Sequence, residues 1–141
     1  MSDNCVVDVV DATDPLLCGG KASGLARLER AGFSVPPAIC LTTEFYHRWL
    51  AASGIASRLA EFTRDSVTRN PTARRGILRE IRLRAETSTM PADLAVALHE
   101  GVADLRAGWG GALAVRSSGV FEDQTDASHA GIHAKIGRAH V

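Results

Sequence analysis

Lysine is rare in this chain of 141 residues. Among 16 Lys and Arg residues only Lys21 and Lys135 are lysines. Lys21 stands in Gly19-Gly20-Lys21-Ala22-Ser23-Gly24-Leu25. A glycine pair, a lysine and an apolar repeat predict a loop that opens a helix over about residues 20–31. Lys21 then lies beside backbone N–H groups that have no helical acceptor, at the positive end of the helix dipole. A cation is unfavourable there unless an anion comes too, so the combination predicts a phosphate site. A compact charge on a flexible stem suits phosphate, and the chain otherwise writes its positive charge as Arg. The same letters also suit a solvated lysine at a fraying helix start. The P-loop pattern is excluded, because Pro15 and Ala22 stand where it needs Gly and Ser or Thr.

The second chemically loaded stretch is Arg116-Ser117-Ser118, followed by a polar loop with Glu122, Asp123 and Asp126. Ala112 to Val115 predicts a strand that delivers Arg116 at its end. A cation followed by hydroxyls would complete a phosphate clamp with Lys21. An ordinary strand end with capping serines has the same composition. His129 and His133 share a strand-like alternation without supporting carboxylates, so no metal site is assigned.

The run G-G-K-A-x-x-L-x-x-L-x-x-A-G-F-x-V-P-P, from Gly19 to Pro37, resembles the start of the ATP-binding domain of the phosphoenolpyruvate-utilising dikinases. That family includes phosphoenolpyruvate synthase, pyruvate phosphate dikinase and rifampicin phosphotransferase. Ala114-Val115-Arg116-Ser117-Ser118 to Ser128-His129-Ala130-Gly131 resembles its next signature, in the same order. The E-D-x-x-x-A-S-x-A-G form is similar to the water dikinase and rifampicin phosphotransferase branch. Phe121, Gln124-Thr125 and His129 to His133 depart from the family pattern, which puts the loop conformation in question.

The resemblance implies that Lys21 and Arg116 are the catalytic groups that hold the transferred phosphates. It implies a nucleotide site made by Gly19, Gly20, Lys21, Arg116, Ser117, Ser118, Asp123, Ser128 and Gly131, with Gly131 approaching through its backbone. The fold it implies is α/β (α+β), the first lobe of an ATP-grasp-like domain: a small sheet with several packed helices, incomplete at the C-terminus. ATP and Mg²⁺ are the implied cofactors, with the metal ligands in a missing second lobe. A swivelling domain with a phosphorylated His and a small-molecule acceptor, pyruvate or rifampicin among the options, are the other implied partners. The competing reading is a stand-alone nucleotide-binding or regulatory module that never catalyses. A third is an all-helical interaction domain that keeps the motifs as relics.

The elements that must position these residues follow from composition and pattern. A hydrophobic content of 45% with 23% charged residues fits one globular domain. Net charge +0 points to neither nucleic acid nor an anionic membrane as partner. No apolar run is long enough to span a membrane and no signal peptide is recognisable, so a cytoplasmic setting is expected. Cys5, Cys18 and Cys40 lack C-x-x-C spacing and read as reduced filler thiols.

Strands are predicted over residues 5–10 and 38–41, the second reached through the extended Phe33 to Pro37 segment. Ala22, Leu25 and Leu28 are predicted to share the inward face of the first helix, which Gly32 terminates in left-handed conformation. A helix capped by Thr42 or Thr43 carries Phe45, Tyr46, Trp49 and Leu50 inward. Three more helices fill residues 55–107. The first ends near Val67. The second is capped by Asn70 and turns Arg74, Arg75, Arg79, Arg82 and Arg84 to solvent. The third, opened by Pro91, buries Leu94, Leu98, Val102 and Leu105. These helices are predicted to be structural.

Residues 1–135 are assigned to the partial ATP-binding domain. Residues 136–141, I-G-R-A-H-V, are what ATC GGA AGA GCA CAC GTC encodes, a string that reads like a sequencing adapter. They are expected to be a non-native tail on a protein that continues further.

Overall fold

A computed structural model describes residues 4–63 and 70–120. The elements run β1 (Val6–Asp8), a 3-10 turn (Val9–Asp11), α1 (Pro15–Arg30), β2 (Ile39–Leu41), α2 (Thr43–Ala52), α3 (Ile55–Phe62), α4 (Pro71–Thr87) and α5 (Ala92–Gly108). Among the described residues the architecture is helix-rich with one two-stranded antiparallel sheet. The chain divides into two compact units. One is built from residues up to Phe45 and from Val96 onward, the other from Tyr46–Ala95.

In the first unit, β1 and β2 pair with Val6 opposite Leu41, Val7 opposite Cys40 and Asp8 opposite Ile39. Val9 N–H donates to the Ala38 carbonyl at 2.9 Å, and Thr42 N–H to the Cys5 carbonyl at 3.0 Å, so the ladder extends past both strand ends. β1 is shorter than the β-branched run 5–10 predicts. Asp8 accepts from Val10 N–H and caps the 3-10 turn, which diverts the chain after three residues.

A small-residue core lies against the sheet: Ala12, Cys18, Ala22 and Cys40, with Val7 packed on it. Short side chains there let the backbones approach closely. The side chains of Val6 and Ile39 press on α5 at Gly101, where a Cβ would lie 2.9 Å from Val6 Cγ1. Gly32 follows the end of α1 with φ +85°, the left-handed residue that its position predicts.

Thr42, buried, opens α2. Its hydroxyl donates to the Asn4 carbonyl at 2.7 Å and accepts from Phe45 N–H at 3.5 Å. The strand predicted over 112–115 is reduced, among the described residues, to an isolated bridge at Leu113.

In the second unit, α3 and α4 are joined by charge. Arg58 reaches Glu80 with Nε and Nη2, at 3.0 and 2.9 Å to Oε1, and Glu61 with Nη1 at 2.5 Å. Glu80 also accepts from Arg84. The Arg58 hydrogen bonds, with Arg84 beside them, hold the Glu80 carboxyl below the usual carboxylate range. Asn70 caps α4 by accepting from the N–H groups of Thr72 and Ala73.

Arg74, Arg75, Arg79, Arg82 and Arg84 of α4 are all exposed, as predicted, and three of them also engage neighbours. Arg84 pairs with Glu80, Arg82 with Glu86, and the Arg74 guanidinium lies 5.5 Å over the Phe62 ring. No side chain of α4 is buried, and Leu78 is 45% exposed. Leu94 of α5 is fully buried, whereas Leu98, Val102 and Leu105 are half-buried. On α2, Phe45 is buried, but Tyr46 is exposed and stacks, tilted, near Trp49. The predicted helix end near Val67 lies outside the described residues.

Candidate functional site: a cationic cleft at a kinked helix

The helix α1 starts five residues before the glycine loop places it. Asp14 caps it by accepting from Leu16 N–H at 2.8 Å, and Pro15 takes the first position, where no N–H is needed. One turn later the helix breaks at Gly19, with φ +76° and ψ +165°. This backbone region is essentially reserved for glycine. The helix restarts at Gly20, so Lys21 does sit in a first turn, that of the second segment.

Two of the N–H groups at this restart are already engaged. Gly20 N–H donates to the Gly119 carbonyl at 3.3 Å and Ala22 N–H to the Ser118 hydroxyl at 3.2 Å. The set of open N–H donors expected for a phosphate is smaller by these two. The anion-attracting groups that face the cleft are side chains.

Lys21 Nζ donates to the Ser117 carbonyl at 3.2 Å, across 96 residues of sequence. The Ser118 hydroxyl donates to the Cys18 carbonyl at 2.8 Å. The segment 117–119 is thereby laced to both sides of the Gly19 break. An open cleft of about 640 Å³ results, lined by Gly20, Lys21, Gly24, Leu25, Arg27, Leu28 and Arg116. Lys21 and Arg116, distant in sequence, share this lining. Neither the Arg27 nor the Arg116 guanidinium has a hydrogen-bond or ion-pair partner among the described residues.

Sequence reasoning missed Arg27, Leu25 and Leu28 as lining residues. Leu25 and Leu28 were read as one inward face with Ala22, but the core takes Ala22, Ser23 and Ala26 instead. The available signal was spacing: Lys21, Gly24 and Leu28 recur at three and four residues, so one helix face carries them all. Among the predicted site residues, Gly19 is buried under Ser118, and Gly20, Lys21 and Arg116 line the cleft. Ser117 and Ser118 form its frame. Asp123, Ser128 and Gly131 lie outside the described residues, as do Glu122, His129 and His133.

Two thiols sit behind the site. Cys40 Sγ donates to the Cys18 carbonyl at 3.4 Å. Burial, with Cys18 adjacent, pushes the Cys40 thiol up to about 12, and burial also raises Cys18. Both are protonated at neutral pH and are not nucleophiles. Among the described residues no group of three or more His, Cys, Asp or Glu is placed to hold a metal ion, and no described helix is long and apolar enough to cross a membrane.

Three cations, Lys21, Arg27 and Arg116, line one open cleft together with Leu25 and Leu28, an arrangement chemically able to attract an anion. The chain belongs to the family described as pyruvate phosphate dikinase, AMP/ATP-binding domain, which it matches over residues 16–136. It is 36% identical over 135 residues to rifampicin phosphotransferase of Streptomyces sviceus, covering 93% of this chain and 15% of that relative. It is 30% identical over 128 residues to a probable phosphoenolpyruvate synthase of Methanocaldococcus jannaschii, covering 89% of this chain and 11% of the relative. It is 34% identical over 125 residues to phosphoenolpyruvate synthase of Aeropyrum pernix, covering 82% and 14%. The chain thus spans 11–15% of the length of these relatives. No solved structure matches it.

Proposed function

We propose that this chain is the first lobe of an ATP-grasp-like nucleotide-binding domain, and that Lys21 and Arg116 hold the phosphates of ATP. The observation that carries the reading is their shared place in the lining of one cleft, at a helix restart. A lysine and an arginine converging on phosphate oxygens neutralise charge and fix orientation, which is most of what phosphoryl transfer asks of a protein. Gly19, Gly20, Ser117 and Ser118 frame that site, and Asp123, Ser128 and Gly131 complete its nucleotide contacts.

In the full-length protein, the β-phosphate of ATP passes to a histidine on a swivelling domain. AMP leaves as the α–β bond breaks, one water cleaves the β–γ bond to release inorganic phosphate, and the phosphohistidine then serves a small-molecule acceptor. The names of the relatives support acceptors of the pyruvate or rifampicin type. The cleft lining holds cations and no carboxylate. These residues do not fit Mg²⁺, so its ligands are assigned elsewhere in the full-length protein. A cytoplasmic setting suits the three buried thiols. The 141-residue chain by itself is expected to be inactive.

The test is transfer of label from [β-³²P]ATP to a histidine of the full-length protein, in wild type and in Lys21→Ala. Acid-labile label with AMP release, lost in Lys21→Ala, is the expected result. ATP binding without any label would contradict the phosphotransferase reading and favour a non-catalytic nucleotide-binding module.

A further inference from the structure

In an uninterrupted helix, Ala22 N–H would donate to the Cys18 carbonyl, four residues back. The Ser118 hydroxyl bridges this same pair. It accepts from Ala22 N–H at 3.2 Å and donates to the Cys18 carbonyl at 2.8 Å. A side chain inserted into the helical ladder is one of the few causes of a sharp kink. The kink is there, at Gly19, between the two bridged residues. Gly19 leaves room for the insertion, since the Ser118 hydroxyl lies 2.5 Å from where a Cβ of residue 19 would stand.

We infer that Ser118 is a positioning residue, not a nucleotide ligand: its hydroxyl splices α1 at Gly19 and so sets Lys21 beside Arg116. A serine hydroxyl has one proton and two lone pairs. The proton is committed to Cys18 and one lone pair to Ala22, so nothing remains to donate to a phosphate oxygen. The neighbouring bonds act in the same sense: Ser117 holds Lys21 through its carbonyl, and Gly119 holds the Gly20 N–H. The second sequence block therefore builds the lysine's turn as well as delivering an arginine. This role deepens the nucleotide-binding reading and rests on it only where affinity is concerned.

Amide hydrogen exchange in the ligand-free protein tests the splice. Ser118→Ala should speed exchange at Ala22 at least tenfold while the Thr42 amide, on the sheet, is unchanged. Ser118→Thr keeps the hydroxyl and should retain the protection. Unchanged exchange at Ala22 in Ser118→Ala, or equal acceleration at Thr42, would overturn the splice. ATP titrations then separate positioning from ligation. Ser118→Ala should weaken binding about fivefold in the Lys21 protein and have no further effect in Lys21→Ala. Equal losses in both backgrounds would make Ser118 a direct ligand and refute the inference. Absence of ATP binding to wild type would count against the nucleotide reading alone, because the exchange comparison decides the splice without ligand.

Discussion

Gly19 and Ser118 are in direct backbone contact: a Cβ at residue 19 would lie 2.1 Å from the Ser118 carbonyl oxygen. The contact cannot relax by a rotamer change, because the clashing atom is main chain. Gly19→Ala also forces a side chain into φ +76°, ψ +165°. That backbone costs on the order of 1–3 kcal/mol for a non-glycine residue, and the overpacking adds about 1–3 kcal/mol. A urea unfolding series should show a loss within the sum of these ranges. A loss under about 0.5 kcal/mol would mean that the segment 117–119 does not pack there.

Arg27 should contribute to anion binding. It lines the same cleft as Lys21 and Arg116. It is exposed, so its effect should be modest: Arg27→Ala should weaken tripolyphosphate or ATP binding about two- to fivefold, as expected for a solvent-screened charge. The loss should shrink as salt rises from 50 to about 300 mM. Equal affinity of wild type and Arg27→Ala at low salt would remove Arg27 from the site.

Two leucines on α5 should differ in weight. Leu94 is 1% exposed, so Leu94→Ala should cost about 2–5 kcal/mol. Leu98 is half-buried, and Leu98→Ala should cost less, about 1–2 kcal/mol. Chemical denaturation of the two variants side by side checks the order. A larger loss at Leu98 would contradict the burial pattern.

Stability should fall in alkali. A thiol whose folded-state pKa is raised keeps its proton more tightly in the native state. Its stabilising contribution is complete below the unfolded pKa near 9 and declines as pH rises toward the Cys40 value of about 12. Urea midpoints at pH 8 and pH 10.5 should therefore drop more in wild type than in Cys40→Ala. Native Cys40 should also resist iodoacetamide at pH 8 and react once unfolded. Parallel pH profiles for the two proteins would show that Cys40 is not buried as a thiol.

The sequence pointed to more of the candidate cleft than of its surroundings. Gly19, Lys21 and Arg116 were legible because each residue type is costly or unusual where it stands: a glycine pair, one of two lysines, an arginine at an expected strand end. The strands over 5–10 and 38–41 were placed within two residues at each end, whereas that over 112–115 is only a bridge at Leu113. The start of α1 was misjudged because the glycine pair was taken to open it, whereas Asp14-Pro15 is a cap followed by the favoured first residue. The helix faces misled for a different reason. Ala22, Ser23 and Ala26 fill a tight core that prefers small residues, which pushes Leu25 and Leu28 into the cleft. Periodicity counts apolar letters and does not register how close two backbones come. The Ser118 splice was invisible because it links residues 100 apart in sequence through one hydroxyl.

The central claim is that Lys21 and Arg116 act on one polyphosphate, and a double-mutant cycle on ATP binding tests it most directly. Calorimetry or NMR titration of the 141-residue chain should give a weak, millimolar-range dissociation constant, equivalent to about −4 kcal/mol. Lys21→Ala and Arg116→Ala should each lower the affinity, by up to about tenfold. The double variant should lose less than the sum of the two, as groups sharing one ligand do. Full additivity, or ATP affinity untouched by either change, would contradict the shared site.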